Sequence, residues 1–189
     1  MSRFFIVCLP RSRSAWLSNL LTYESVLCLH EPLLGCRSLD DLEAKLATTG
    51  TPIAGAADTG AMFWVDDIIE RFPDARFVLL ARDPRGYVEQ AQRMGGTAAE
   101  AAAILEQFSH AIGSLHKLGN RTLTVASKQL DDYTVCNQVW QHIGMPIALN
   151  RVRFDMLKDL KVEVFIDRVR AKVAAHQDDI RALFGAHHA

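Results

Sequence analysis

Two continuous apolar runs, each of strand length and each soon followed by a proline and a helical pattern, constrain the fold more than any other feature of the chain. Residues 4–9 read Phe-Phe-Ile-Val-Cys-Leu, and residues 77–81 read Phe-Val-Leu-Leu-Ala. A strand without polar alternation is typical of a sheet covered on both faces. Strands that alternate with helices form right-handed βαβ units. The pattern therefore predicts an α/β fold, a three-layer αβα arrangement with a mostly parallel central sheet.

Weaker segments extend this alternation along the chain. Shorter strands are predicted over residues 26–29, 53–57 and 121–126. Helices are predicted from Ser14, from Ser38 to Ala47, over residues 63–72, from Pro84, over residues 97–118, from Asp131 or Asp132 to about Gly144, and over residues 162–184. Because the 189 residues contain no repeat and no low-complexity linker, we expect one domain, residues 1–189.

Charge and cysteine content restrict the possible partners. The 21 basic and 22 acidic residues give a formal net charge of −1, so we expect neither nucleic acid nor a membrane surface as a partner. The four cysteines show no CxxC spacing, and we recognise no secretory signal and no apolar stretch of spanning length. We therefore expect a cytoplasmic protein with reduced thiols. His187 and His188 are expected to form a solvated tail rather than a metal site.

Three short polar segments directly follow predicted strands. They are residues 10–14, 30–32 and 82–85. The carboxyl ends of parallel strands lie along one edge of a sheet, which is where ligands bind in open α/β folds. We therefore expect these three segments to build the binding site together.

The first polar segment, Pro10-Arg11-Ser12-Arg13-Ser14, joins a buried strand to the start of a helix. The N–H groups at a helix N-terminus are unpaired donors that favour an oxyanion, and the arginines and serines add charges and hydroxyl groups. This combination indicates a phosphate or sulfate cradle, although an ordinary turn in which Ser14 caps the helix has the same spacing. The loop is not the P-loop of ATPases, because it lacks GxxxxGK[ST] and its lysine.

The same stretch resembles the 5′-phosphosulfate loop of sulfotransferases that use 3′-phosphoadenosine-5′-phosphosulfate (PAPS), a family with a P-loop NTPase-like fold. That loop reads Pro-[Lys/Arg]-Ser-Gly-[Ser/Thr]-[Ser/Thr]-[Trp/Phe]-Leu. In this chain Arg13 replaces the glycine and Ala15 replaces a hydroxyl residue, whereas the other positions match from Pro10 to Leu17. The resemblance implies that PAPS, or its product 3′-phosphoadenosine-5′-phosphate (PAP), is bound by Arg11, Ser12, Arg13, Ser14, Ala15 and Trp16.

The segment Arg82-Asp83-Pro84-Arg85 is similar to the family's 3′-phosphate segment, in which a strand ends in Arg-[Asn/Asp]-Pro-[Lys/Arg]. The resemblance implies that Arg82 grips the 3′-phosphate. The family serine that shares this phosphate is replaced by Gln90, whose amide donates more weakly to a dianion than a charged group does. The family's C-terminal Arg-Lys-Gly segment has no counterpart that we can identify.

The turn His30-Glu31-Pro32 supplies the candidate bases. Several carbohydrate sulfotransferases have a Glu-Pro pair at this distance from the loop, which narrowly favours Glu31, with His30 as the alternative. An attacking hydroxyl or amine must lose its proton, and histidine titrates near neutral pH without help. The resemblance also implies that Arg11 and Arg13 offset charge on the leaving phosphate, so that no metal is expected.

Two other functions stay open on the sequence alone. A small-molecule kinase using ATP and magnesium is disfavoured by the missing lysine and glycines. A non-catalytic nucleotide-binding domain is kept open by the departures at Arg13 and Gln90. The acceptor, a small molecule or a carbohydrate, and the oligomeric state are not readable. Asp58, Thr59 and Gly60 form an ordinary loop or a further contact to nucleotide or acceptor.

Overall fold

A sheet of parallel strands forms the centre of the molecule. The structure is a computed structural model that describes residues 2–48 and 50–158. The strands are β1 (Ser2–Cys8), β2 (Val26–His30), β3 (Ile53–Asp58), β4 (Arg76–Ala81) and β5 (Thr122–Ala126). Their order in the sheet is β2-β3-β1-β4-β5, and all four pairings are parallel. The sheet predicted from the apolar runs is confirmed.

Helices follow the strands in alternation and cover both faces of the sheet. They are α1 (Ser14–Leu21), α2 (Leu39–Ala47), α3 (Val65–Arg71), α4 (Pro84–Arg93), α5 (Ala98–His116), α6 (Tyr133–His142) and α7 (Arg151–Lys158). Capping residues explain where several of these helices begin. Ser38 and Asp41 form a capping box at α2, and Asp132 caps α6.

The side chains of β1 alternate between two apolar cores. Phe4, Ile6 and Cys8 pack in one core with α1, α6 and α7. Phe5 and Val7 pack in the other with α2, α3 and α5. Each face of the sheet is therefore buried by a layer of helices, which confirms the three-layer αβα arrangement.

The two strongest apolar runs lie side by side as β1 and β4. From β1 the chain passes through α1 to β2, beyond β3, whereas from β4 it passes through α4 and α5 to β5 at the other edge. The loops after β1 and β4 therefore leave the sheet in opposite directions. The crevice at such a switch point is the usual ligand site of an open α/β sheet.

Strand β3, between β2 and β1, consists largely of small residues because it lies against a large side chain of its neighbour. All six of its residues are buried, and Gly55 pairs with Phe4 of β1. A Cβ atom on Gly55 would lie 2.4 Å from the Phe4 carbonyl oxygen and 2.5 Å from a carbon of its ring. Only glycine fits there without moving the backbone.

Helix α7 is missing from the sequence-based prediction, whose last helix, over residues 162–184, lies outside the described residues. Asn150 begins α7, since its side-chain oxygen accepts the N–H of Arg153 at 3.0 Å. Phe154 is buried and meets Trp16 edge-on, with ring centroids 6.3 Å apart. This packing places α7 against α1.

Helix α7 contacts α1 near the start and near the end of α1. Near the start, the indole N–H of Trp16 donates to the carbonyl of Leu157 at 2.7 Å. Near the end, the guanidinium of Arg153 donates to the carbonyls of Leu20 at 3.2 Å and Thr22 at 2.9 Å. The carbonyl groups in the last turn of a helix lack intrahelical donors. Arg153 supplies donors to these carbonyl groups at the end of α1.

All four cysteines are buried free thiols. Among the helices of residues 2–48 and 50–158, none is both long and apolar enough to cross a membrane.

Candidate functional site

The loop after β1 has an unusual backbone. Arg11 and Arg13 both lie in the left-handed region, with φ of 64° and 65°, whereas Ser12 between them does not. Successive N–H groups in such alternating conformations form concave anion sites. Ser12 is fully buried, and its hydroxyl has no hydrogen-bond partner among the described residues. A buried hydroxyl without a partner is costly in a folded protein, and an anion bound in the loop would satisfy it.

The loop runs directly into the N-terminus of α1. Arg13 occupies the N-cap position and makes no side-chain cap, and the first turn contains no acidic residue. Ser14 is therefore the first helical residue and not the cap of the alternative turn. The first N–H groups of a helix have no intrahelical acceptor and carry partial positive charge, so this end of α1 favours an anion.

Arg13 is turned toward the segment between β5 and α6. Its guanidinium lies 2.8 Å from a carboxylate oxygen of Asp131 and 4.6 Å from the centre of the Trp16 ring. These two contacts hold the side chain that replaces the family glycine. Asp131 is a part of the site that the sequence did not reveal, because it lies 118 positions along the chain from Arg13.

The positive φ at Arg13 predicts different stabilities for two small substitutions. Both Arg13→Ala and Arg13→Gly remove the same ion pair and ring contact, but only glycine adopts a positive φ without strain. We expect Arg13→Gly to be more stable than Arg13→Ala by about 1 kcal/mol, measured by urea unfolding. Equal stability of the two variants would show that the positive φ at Arg13 is not maintained in solution.

Arg82 crosses from the end of β4 to the loop after β1. Its Nη1 donates to the carbonyls of Pro10 at 2.9 Å and Arg11 at 3.3 Å. Its Nη2 donates to the carbonyl of Gly86 at 3.0 Å and to Oε1 of Gln90 at 2.6 Å. Burial lowers the pKa of Arg82, and the nearby charge of Arg11 lowers it further. Two cations therefore lie close together at the switch point, an arrangement that favours an anion between them.

The His30-Glu31 turn ends β2 beside the loop. Nε2 of His30, an exposed residue, lies 3.3 Å from the hydroxyl of Ser14. Glu31 has a left-handed φ of 50° and donates its N–H to the carbonyl of Ala57 at 2.9 Å. Non-glycine residues in this region are strained and often occur at functional sites.

Buried Asp58 holds this turn in place. One carboxylate oxygen accepts the N–H of Leu33 at 2.7 Å, and the other accepts the N–H of Gly60 at 2.7 Å. Asp58 is 3% exposed, so it joins the end of β3 to the turn after β2. The sequence signal for this role is the Asp-Thr-Gly string, since aspartate accepts N–H groups two residues ahead.

Cys8, at the end of β1, lies beneath the loop. Its thiol forms a hydrogen bond with Ser14, and burial raises its pKa to about 12. The thiol is therefore neutral and acts as packing under the cradle. Through Ser14, the end of β1 and the end of β2 are connected.

The structure thus brings the three predicted polar segments to one edge of the sheet. The loop residues, the His30-Glu31 turn and the Arg82–Gln90 pair follow neighbouring or nearby strands, β1, β2 and β4. Within the described part of the chain, no group of three or more His, Cys, Asp or Glu residues could hold a metal ion.

Comparison with protein families matches residues 42–187 to the family described as the sulfotransferase domain. The chain belongs to the sulfotransferase domain family. The matched region includes Arg82 and Gln90, whereas the loop after β1 and the His30-Glu31 turn precede it. A search of curated proteins found no significant match.

A solved structure of a sulfotransferase shares the fold of this family member. The mouse sulfotransferase SULT7A1, in a crystal structure complexed with PAP, superposes with a TM-score of 0.55 at 13% sequence identity. The match covers 83% of this chain but 63% of the mouse chain. It supports the sulfotransferase-like α/β fold, and neither comparison favours a phosphotransferase.

Proposed function

We propose that this chain is a sulfotransferase that moves a sulfuryl group from PAPS to a hydroxyl or amine acceptor. The observation that carries the proposal is the loop after β1, in which the uncapped start of α1, two left-handed arginines and the buried Ser12 hydroxyl form one anion site. Family membership supplies the reaction class.

The residues present fit a phosphosulfate. The N–H groups of Ser12, Ser14 and Ala15, together with the hydroxyl of Ser12, can hold its oxygens at the start of α1. When bound, PAPS supplies an activated sulfuryl group on a good leaving group. Transfer of such a group depends mainly on positioning and on electrostatic stabilisation.

Arg11 is the cation that we assign to the leaving phosphate. Its side chain is exposed at the mouth of the loop, whereas Arg13 is held by Asp131. Arg11 is therefore the loop arginine able to turn toward developing negative charge. A charge placed there removes the need for a metal ion in the mechanism.

We assign to His30 the role of the base that takes the proton from the acceptor. Its imidazole touches Ser14 at the start of α1, which places it beside the anion site, and an imidazole can accept a proton near neutral pH. Glu31, favoured by the sequence motif, is the alternative base on the same turn. The acceptor itself is a small molecule or a carbohydrate that presents a hydroxyl or an amine.

Calorimetric titration with PAP, beside ATP with magnesium, tests this function. We expect PAP to bind and ATP with magnesium to give no comparable heat. Arg11→Ala is expected to weaken PAP binding by about tenfold, because it removes one charge-assisted contact. Arg93→Ala is the matched control, since Arg93 is an exposed arginine whose ion pair with Glu89 spans 3.8 Å. No heat with either nucleotide would reject the proposal.

A further inference from the structure

The contacts of Arg82 carry an inference about nucleotide specificity that rests on the proposed function. We propose that Arg82 is a positioning residue for the loop after β1, and that, for the same 5′-phosphate or 5′-phosphosulfate group, the chain binds an adenosine nucleotide bearing a 3′-hydroxyl about as tightly as one bearing a 3′-phosphate. The donors accepted at this site would therefore include adenosine 5′-phosphosulfate as well as PAPS.

The hydrogen bonds of Arg82 leave its terminal nitrogens occupied. A guanidinium carries five N–H donors, four of them on the two Nη atoms. Nη1 has two carbonyl acceptors in the loop, and Nη2 has the Gly86 carbonyl and Gln90 Oε1. A bidentate grip on phosphate uses two parallel N–H groups. Arg82 would have to break contacts with the protein to make that grip.

Gln90 reinforces this arrangement. Its Oε1 accepts from Arg82 at 2.6 Å, and a guanidinium can only donate, so the amide oxygen must face Arg82. The side chain that we considered for the 3′-phosphate is therefore engaged in holding Arg82. A neutral amide then offers a 3′-phosphate only its N–H groups, which discriminate weakly between a phosphate and a hydroxyl.

The same contacts orient the donors of the loop. Arg82 binds the carbonyl oxygens of Pro10 and Arg11. In a trans peptide the C=O and the following N–H point in opposite directions. Fixing these two oxygens on Arg82 therefore turns the N–H groups of Arg11 and Ser12 away from it. Arg82 thus acts on the 5′ end of the ligand, through the backbone of the loop.

Three ligands separate the contributions of the two phosphates. PAP carries both, adenosine 5′-monophosphate carries the first alone, and adenosine 3′-monophosphate carries the second alone. For the wild-type chain, calorimetry is expected to give affinities for PAP and the 5′-monophosphate that agree within about threefold. We expect the 3′-monophosphate to bind at least about tenfold more weakly, because it cannot use the loop.

Variants at Arg82 test the positioning role. Arg82→Ala is expected to weaken PAP and the 5′-monophosphate by the same factor, about tenfold, and to leave the 3′-monophosphate unchanged. Arg82→Lys should lose nearly as much, because one ammonium cannot bind four acceptors in fixed directions. Arg93→Ala serves again as the charge control, and melting temperatures of the free variants confirm that each is folded.

The outcomes are distinct for the inference and for the proposed function. PAP binding more than about threefold tighter than the 5′-monophosphate in the wild-type chain would overturn the inference, without need of any variant. Rescue of PAP binding alone by Arg82→Lys would also overturn it, since this would reveal a direct charge contact to the 3′-phosphate. Failure of both PAP and the 5′-monophosphate to bind would reject the proposed function itself.

Discussion

Replacing His30 with alanine is expected to lower kcat for sulfuryl transfer by about 10²- to 10⁴-fold, the usual contribution of a general base. The reason is its position, since Nε2 of His30 lies 3.3 Å from the Ser14 hydroxyl at the start of α1. The measurement is the rate of PAP release with the best acceptor from a panel of phenols, sugars and amines. PAP affinity is measured in parallel, because loss of a base lowers kcat while leaving product binding within about threefold.

Glu31, the residue after His30, provides the control for the assignment of the base. Glu31→Gln keeps the size of the side chain and removes its ability to take a proton, and we expect it to lower kcat by less than about tenfold. The pH profile adds an independent readout. In the wild-type chain the rate should fall as the pH drops and a base is protonated, and this acidic limb should disappear in His30→Ala. Loss of the limb in Glu31→Gln instead would assign the base to Glu31.

Substitution of Gly55 by alanine is expected to lower the free energy of unfolding by about 3 kcal/mol, at the upper end of the usual cost of overpacking. The added Cβ would lie 2.4 Å from the carbonyl oxygen of Phe4. Backbone cannot rotate away as a flexible side chain can, so β1 and β3 must separate at their centre. Urea unfolding measures the loss, and the PAP affinity of the folded fraction shows whether the loop after β1 moves with its strand.

The same substitution at Gly113 has the opposite expected sign. Gly113 lies in α5, and a Cβ there meets no atom within 4 Å. Alanine in a helix interior is favoured over glycine by about 0.5–1 kcal/mol, so Gly113→Ala should stabilise the chain. If Gly55→Ala proved as stable as Gly113→Ala, the close contact between Phe4 and Gly55 would not exist in solution.

Local signals in the sequence were sufficient for most of the sheet and several helix starts. The strand predicted from the apolar run over residues 77–81 corresponds to β4, which spans Arg76–Ala81, because a continuous apolar run flanked by proline signals has few alternatives. The capping box at Ser38 was readable for the same reason. Strand β3 gave a weak signal, since alanine and glycine are poor strand formers, and its burial between β1 and β2 overrides that preference.

The contacts within the site were not readable, because some join distant parts of the chain and others depend on the direction in which a side chain turns. The sequence identified Arg13 as a departure from the family pattern, but its partner Asp131 comes from the segment after β5. Gln90 was expected to donate to a phosphate, and the structure adds that its Oε1 accepts from Arg82. The direction of an amide depends on which neighbour it meets, and no local pattern specifies that neighbour. Helix α7 was missed because Asn150 is a single, common N-cap residue.

The contacts of α7 with α1 have a consequence for how the protein is made. Trp16 of α1 binds the carbonyl of Leu157, 141 positions later, and Arg153 caps the other end of α1. A nascent chain that has left the ribosome only as far as α6 already contains His30, Arg82 and every residue of the loop. It still lacks Leu157 and Arg153, which form hydrogen bonds with the two ends of α1. We therefore expect nucleotide to bind only after α7 has emerged, later in translation than the synthesis of the loop residues that we propose as its ligands.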